Sequence, residues 1–227
     1  MNTIYETLLD PTGLNTIIYN DPYAKLCLIS TLIVELKEEQ RKKILYIDLD
    51  TVFTAFVRAG LIPPFKIEKI NSSLYTSDIL RIYIPDERIH LPILDVIRYI
   101  DDASLIIFDS VTSFYSLFQF KMETNKSLTR ELGRCNQSLL VLLMLLLKNT
   151  KFAKIPLLVT SMIRYKRKGM WTRSPTANRF LSAKSTAKLF VRMENENDIA
   201  VNVLSHPNLT PQKFILPVKG IKILSES

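Results

Sequence analysis

Lys25, Asp48, Asp50 and Asp109 stand where apolar runs begin or break off. Lys25 follows Thr16-Ile17-Ile18-Tyr19 within one turn, Asp48 and Asp50 close Ile44-Leu45-Tyr46-Ile47, and Asp109 closes Leu105-Ile106-Ile107-Phe108. A lysine after one strand and acids at the ends of others are the equipment of phosphoryl transfer. The ammonium addresses phosphate oxygens, one carboxylate orients Mg²⁺ and another positions the attacking group. That chemistry also needs a cradle, in which small residues let consecutive backbone N–H groups turn inward and a Ser or Thr hydroxyl reaches the metal. The segment in that position reads Asn20-Asp21-Pro22-Tyr23-Ala24-Lys25-Leu26 and contains no glycine. Asp21 brings negative charge where donors are needed, Tyr23 brings a ring, and Leu26 offers no hydroxyl. Lys25, Asp50 and Asp109 are therefore read as vestiges of a catalytic site. The sequence predicts no metal site and no cofactor, with ATP and Mg²⁺ entering only if an unusual loop still serves.

The elements that must position these residues follow from periodicity. Leu26, Leu28, Ile29, Leu32, Ile33 and Leu36 have helical spacing, and so do Phe53 to Leu61, Ile89 to Ile100 and Leu128 to Lys148. Between them stand short apolar runs at Ile44–Ile47, Leu105–Phe108 and Ile155–Ser161 and a strand pattern at Ile79–Ile84, and the run closing on Asp109 has the pattern of a strand buried on both faces. Strand and helix alternate, which predicts a parallel sheet. If the strands ending at Asp48 and Asp109 are neighbours, their acids share one crevice. After residue 185 the pattern becomes successive strands, Thr186–Met193, Ile199–Leu204 and Lys213–Val218, with turns at Glu194–Asn197 and Pro207-Asn208.

With 227 residues and 47% apolar content, the chain has material for one substantial core. The expectation is a single domain over residues 1–227. The densest apolar run, Leu139 to Leu147, is about half the roughly 20 residues a membrane helix needs, so it is read as a core helix and no membrane association is expected. Met1 to Glu6 lacks the charged and apolar parts of a secretion signal. Cys27 and Cys135 have neither metal-ligand nor disulfide spacing. An intracellular, cytoplasmic and nucleoid-associated setting is the expectation. His90 and His206 stand alone, and neither metal binding nor a triad is read into them.

The net charge of +8 is distributed unevenly. From Leu132 to Met193 there is no Asp or Glu, and the centre of that stretch interleaves Arg164, Tyr165, Lys166, Arg167, Lys168, Trp171, Arg173 and Arg179. Cations neutralise phosphates and release counterions, and exposed aromatic rings offer faces on which unpaired bases stack. These residues are the candidate DNA-binding set, with single-stranded DNA as the expected ligand. The structural alternative is a solvated basic loop with Trp171 in the core.

Taken in order, Thr12–Tyr19, Ile44–Asp50, Ile106-Ile107-Phe108-Asp109-Ser110-Val111-Thr112, Leu157-Leu158-Val159-Thr160-Ser161 and Ser205-His206-Pro207-Asn208-Leu209 resemble the strands of the RecA/RadA recombinase family. The resemblance covers nearly the whole chain. It implies an α/β fold, a RecA-like core of P-loop type with a mostly parallel central sheet flanked by helices and C-terminal antiparallel strands. It implies that Asp109 occupies the Walker B position, Asp50 the position of the catalytic Glu, residues after Ser161 the second DNA-binding loop, and Phe120 to Lys126 the first. The helical N-terminal accessory domain of full-length recombinases is not expected here. Three departures fall on the chemistry itself: the loop without glycine, Asp50 one methylene short, and Ser161-Met162 in place of Asn-Gln. Phe56-Val57-Arg58-Ala59 matches the Phe-x-x-Ala docking pattern of recombinases, but its helical setting reads as packing. Three functions stand open. One is a non-catalytic recombinase paralogue, RadA-like with a degenerate Walker A motif, that binds DNA and assists recombination and repair by modulating the filament of a RadA-like recombinase or another paralogue. The others are a weakly active DNA-dependent ATPase and a protein-interaction module on a degenerate ATPase fold.

Overall fold

The computed structural model describes residues 3–39, 42–62, 67–86, 88–119, 128–168 and 170–221. The first element, α1 (Ile4–Leu8), starts with a reciprocal capping box: Thr3 Oγ1 accepts the Glu6 amide and the Glu6 carboxylate accepts the Thr3 amide. There follow β1 (Leu14–Tyr19), α2 (Pro22–Glu39), β2 (Lys43–Asp48), α3 (Val52–Arg58), β3 (Glu68–Asn71), β4 (Leu74–Thr76), β5 (Leu80–Tyr83) and α4 (His90–Arg98). The second half contains β6 (Ala103–Asp109), α5 (Val111–Gln119), α6 (Leu128–Ala153), β7 (Leu157–Lys168), β8 (Met170–Pro175), α7 (Asn178–Lys184), β9 (Ser185–Met193), β10 (Asp198–Ser205) and β11 (Lys213–Pro217).

The strands lie in the order β11-β10-β9-β1-β7-β6-β2-β5-β4-β3, and off this path β8 pairs with β7. From β9 to β5 every neighbour is parallel. The two flanks, β9-β10-β11 and β5-β4-β3, are antiparallel. This is the mixed α/β architecture expected from the sequence, with the C-terminal strands completing one edge. Central strands are buried on both faces: in β2, Ile44 and Tyr46 join the core layer that includes α2, while Leu45 and Ile47 join the layer of α4, α5 and α6. Among the described residues no helix is long and apolar enough to cross a membrane.

Two elements depart from the periodicity reading for identifiable reasons. All four residues of β3 are exposed, so the strand carries no buried alternation and is marked only by pairing with β4. The strand expected to end at Ser161 continues to Lys168 and turns back as β8, with Arg164 opposite Ser174 and Arg167 opposite Trp171. The basic segment read as a loop is a β-hairpin, because its residues satisfy one another's backbone groups after β7 has left the sheet.

Candidate functional site

The site is built at the carboxyl ends of β1, β2, β6 and β7, the edge where open α/β sheets place their ligands. Only Asn20 and Asp21 separate β1 from α2. Pro22, as the first helical residue, contributes no N–H, and Asp21 Oδ1 accepts the Tyr23 amide at 2.9 Å. Two of the donor positions that a helix N-terminus offers to a phosphate, Pro22 and Tyr23, are thus removed or already engaged. Lys25, one turn in, is carried inward by a helix buried on nearly every side.

Lys25 Nζ lies 2.9 and 2.8 Å from the two oxygens of Asp109 and 3.0 Å from Asp50 Oδ2. The side chains of Lys25 and Asp109 are fully buried and that of Asp50 is 20% exposed. Asp109 also accepts the Tyr46 hydroxyl at 2.6 Å and, through a short bond, the Thr160 hydroxyl. Asp50 Oδ1 accepts the Val52 amide at 3.1 Å, which ties it to the start of α3. The Tyr19 ring stands 5.3 Å from the ammonium, within cation–π range. Burial alone would depress the Lys25 pKa, but the Asp109 and then the Asp50 carboxylates outweigh it and hold the value above that of an ordinary lysine. Burial, followed by the nearby Asp109 charge, lifts the Tyr46 hydroxyl well above its usual range, so it remains a donor.

The sequence-derived candidates Lys25, Asp50 and Asp109 therefore come together, but with one another as partners. Tyr46 and Thr160 complete the cluster and carry no signal of their own in the sequence, since each sits inside a mostly apolar strand run. Ser161 and Met162 serve a different end. Ser161 Oγ donates to the Thr176 carbonyl at 2.9 Å and the Met162 amide donates to Thr112 Oγ1 at 3.0 Å, fastening the base of the β7–β8 hairpin. A nucleotide and its metal do not fit these residues. The turn lacks glycine and α2 begins with Pro22, and the ammonium that would address phosphate is held by the Asp109 and Asp50 carboxylates.

Asp48 lies opposite Asp109 across the β2–β6 pairing. Its Oδ2 accepts the Thr54 amide at 2.8 Å and the Thr54 hydroxyl at 2.6 Å, while its buried Oδ1 has no hydrogen-bond partner among the described residues. Burial, then repulsion from Asp109, pushes its pKa up to about 8. Because the unfolded chain ionises this carboxyl near its ordinary value of about 4, stability is fully present below that pH and falls as pH rises toward 8. Asp48→Asn, neutral throughout, is expected to melt at a higher temperature than the native protein at pH 8 and to match it most closely near pH 4. Thermal melts across that range check the sign.

The remaining candidates divide. Arg164, Tyr165, Lys166, Arg167, Lys168, Trp171 and Arg173 lie on the β7–β8 hairpin, and their side chains fall outside the described set, as do residues 120–127 entirely. Arg179 is exposed on α7. Tyr19 pairs with Met162 at the end of the β1–β7 ladder, so the hairpin continues beyond the same sheet edge that holds Lys25 and Asp109. Lys148, Lys151, Lys154 and Lys184 are exposed. Phe56 packs against the core layer of α2, 6.5 Å from the Tyr23 ring, which agrees with packing rather than docking. Cys27 and Cys135 are buried, and burial pushes the Cys27 thiol up to about 11.

With this geometry in place, comparison with solved structures is decisive for the fold. A crystal structure of the RadB recombinase matches with a TM-score of 0.62 at 16% sequence identity, over 96% of this chain and 93% of that one. The fold is that of a RecA-type core. At that identity the likeness is one of architecture. No family model matches the sequence, and neither does any curated protein. The RecA-type core here keeps lysine and acids at the expected strand ends and turns them upon one another.

Proposed function

We propose that this chain is a non-catalytic RecA/RadA-like recombinase paralogue that binds DNA, preferring single strands, and modulates the filament of a RadA-like recombinase or of another paralogue. The observation that carries the reading is the RecA-type core over nearly the whole chain with its phosphate position closed by the Lys25–Asp109–Asp50 ion pairs. A core retained without phosphoryl chemistry is best used as a binding scaffold. Support for DNA comes from the acid-free stretch Leu132–Met193 and from the hairpin built from its centre. Long-range attraction to a polyanion follows from such a charge distribution.

Support for a protein partner comes from the outer layer. On α6, Leu140, Val141, Met144, Leu145 and Phe152 are exposed, Phe152 by 91%, and the neighbouring α4 exposes Leu91 and Leu94. Apolar side chains at successive helical turns make a stripe of the kind that marks interaction surfaces. Leu145→Glu with Phe152→Glu is expected to weaken association with the cell's own recombinase at least tenfold, as loss of an interface anchor does, while thermal stability is unchanged. Surface plasmon resonance with the partner immobilised measures it.

ATP turnover by the purified protein is expected to stay at buffer background, with or without DNA. Steady hydrolysis that disappears in Asp109→Asn would establish the ATPase instead. The decisive assay for the role is strand exchange by a recombinase from the same cell, with this protein at substoichiometric amounts. A changed rate or filament lifetime is expected. No change, together with no complex, would leave a general interaction module.

A further inference from the structure

Each of Asp48, Asp50 and Asp109 places one oxygen within 4.8 Å of the others. They come from the ends of two adjacent parallel strands, and Asp48 and Asp109 are fully buried. Carboxylates this close repel unless a cation stands among them. The usual cation for such an oxygen set is a divalent metal with several oxygen ligands. Here the cation is part of the chain: the Lys25 ammonium directs its bonds to Asp109 Oδ1, Asp109 Oδ2 and Asp50 Oδ2 at 2.8–3.0 Å. The one oxygen left over is Asp48 Oδ1, buried and without a hydrogen-bond partner among the described residues.

We infer that the Lys25 ammonium is a resident counter-ion standing in the place of a divalent cation, so that the native protein takes no metal at this edge, and that removing the ammonium uncovers a divalent-cation site formed by Asp109, Asp50 and Asp48. A metal entering the native site would meet a fixed positive charge less than 3.1 Å from its ligands. With an uncharged residue in its place, the Asp50 and Asp109 carboxylates carry two negative charges that match one divalent ion. Asp48 Oδ1 supplies a further oxygen. Lys25 is thus a lock on the metal position, where a lysine that served phosphates would leave that position open.

The inference rests on the proposed absence of phosphoryl chemistry, and its test separates the two. Native protein and Lys25→Met are melted in EDTA and in millimolar Mg²⁺ or Mn²⁺, and Mn²⁺ binding to each is followed by electron paramagnetic resonance. The native melting temperature is expected to be the same in all three solutions, with no bound Mn²⁺. Lys25→Met is expected to melt lower in EDTA and to regain several degrees in metal, as a ligand bound only by the folded state requires. That gain should vanish in Lys25→Met/Asp109→Asn. Binding of one Mn²⁺ to the native protein, lost in Asp109→Asn, overturns the inference even if the Lys25 variant does not fold, and so does a folded Lys25→Met that ignores metal. Native protein that binds Mn²⁺ without hydrolysing ATP sinks this inference alone, whereas ATP turnover sinks the non-catalytic reading.

Discussion

Asp109→Ala is expected to lower the folding free energy by about 3–5 kcal/mol, the cost of stranding a buried charge by removing its partner. Lys25 would keep only the partly exposed Asp50, and the Tyr46 and Thr160 hydroxyls would each lose an acceptor. Lys25→Met should cost a similar amount for the mirror reason, leaving Asp109 buried beside Asp48 and Asp50. The informative variant is the double Lys25→Met/Asp109→Leu, in which nothing charged is left unpaired. Replacing a buried pair with apolar side chains of similar volume is often neutral, so the double variant is expected to recover most of either single loss. Urea unfolding of the native protein, Lys25→Met, Asp109→Leu and the double variant gives the coupling energy directly. A cost under about 1 kcal/mol for Asp109→Ala would mean that the ion pair holds nothing together, against the penalty expected at such a depth.

The same residues show what the sequence makes legible. The ends of β1, β2 and β6 could be read from apolar runs that break at Tyr19, Asp48 and Asp109, because a strand buried on both faces leaves a continuous signal. That placed lysine and acids at one edge. What periodicity could not supply was the direction of each bond. Lys25 turns toward Asp109 because α2 begins within two residues of β1 and Pro22 and Asp21 close its first turn, and both are facts of geometry. Tyr46 and Thr160 were hidden because a polar tip inside an apolar strand has the same spacing as its apolar neighbours. The β3–β4 hairpin and the β7–β8 hairpin were hidden for another reason. All four residues of β3 are exposed and β4 is only three residues long, and β7–β8 is defined by its backbone pairing, so pairing partners mark both hairpins.

Replacing Lys166, Arg167 and Lys168 together with Ala is expected to weaken DNA binding by on the order of 100-fold at low salt and to reduce the slope of log K against log salt by roughly 2. Each cation that leaves a phosphate releases one fewer condensed counterion, and on single strands each contact contributes about 0.7 to the slope. The loss should fall equally on all sequences, since phosphates carry none. Trp171→Ala separates the second contribution: stacking of a base on an aromatic ring is worth about 1–3 kcal/mol and involves no counterion. Its affinity should therefore fall with the salt slope unchanged, and more on single-stranded than on double-stranded DNA. Arg167 faces Trp171 across the hairpin, so the two variants remove adjacent positions on one ribbon and differ only in chemistry. Titration of labelled single- and double-stranded oligonucleotides at several salt concentrations gives slope and affinity together. An unchanged slope in the triple variant would remove the hairpin from the DNA site and leave the exposed lysines of α6 and α7 as the cations to test.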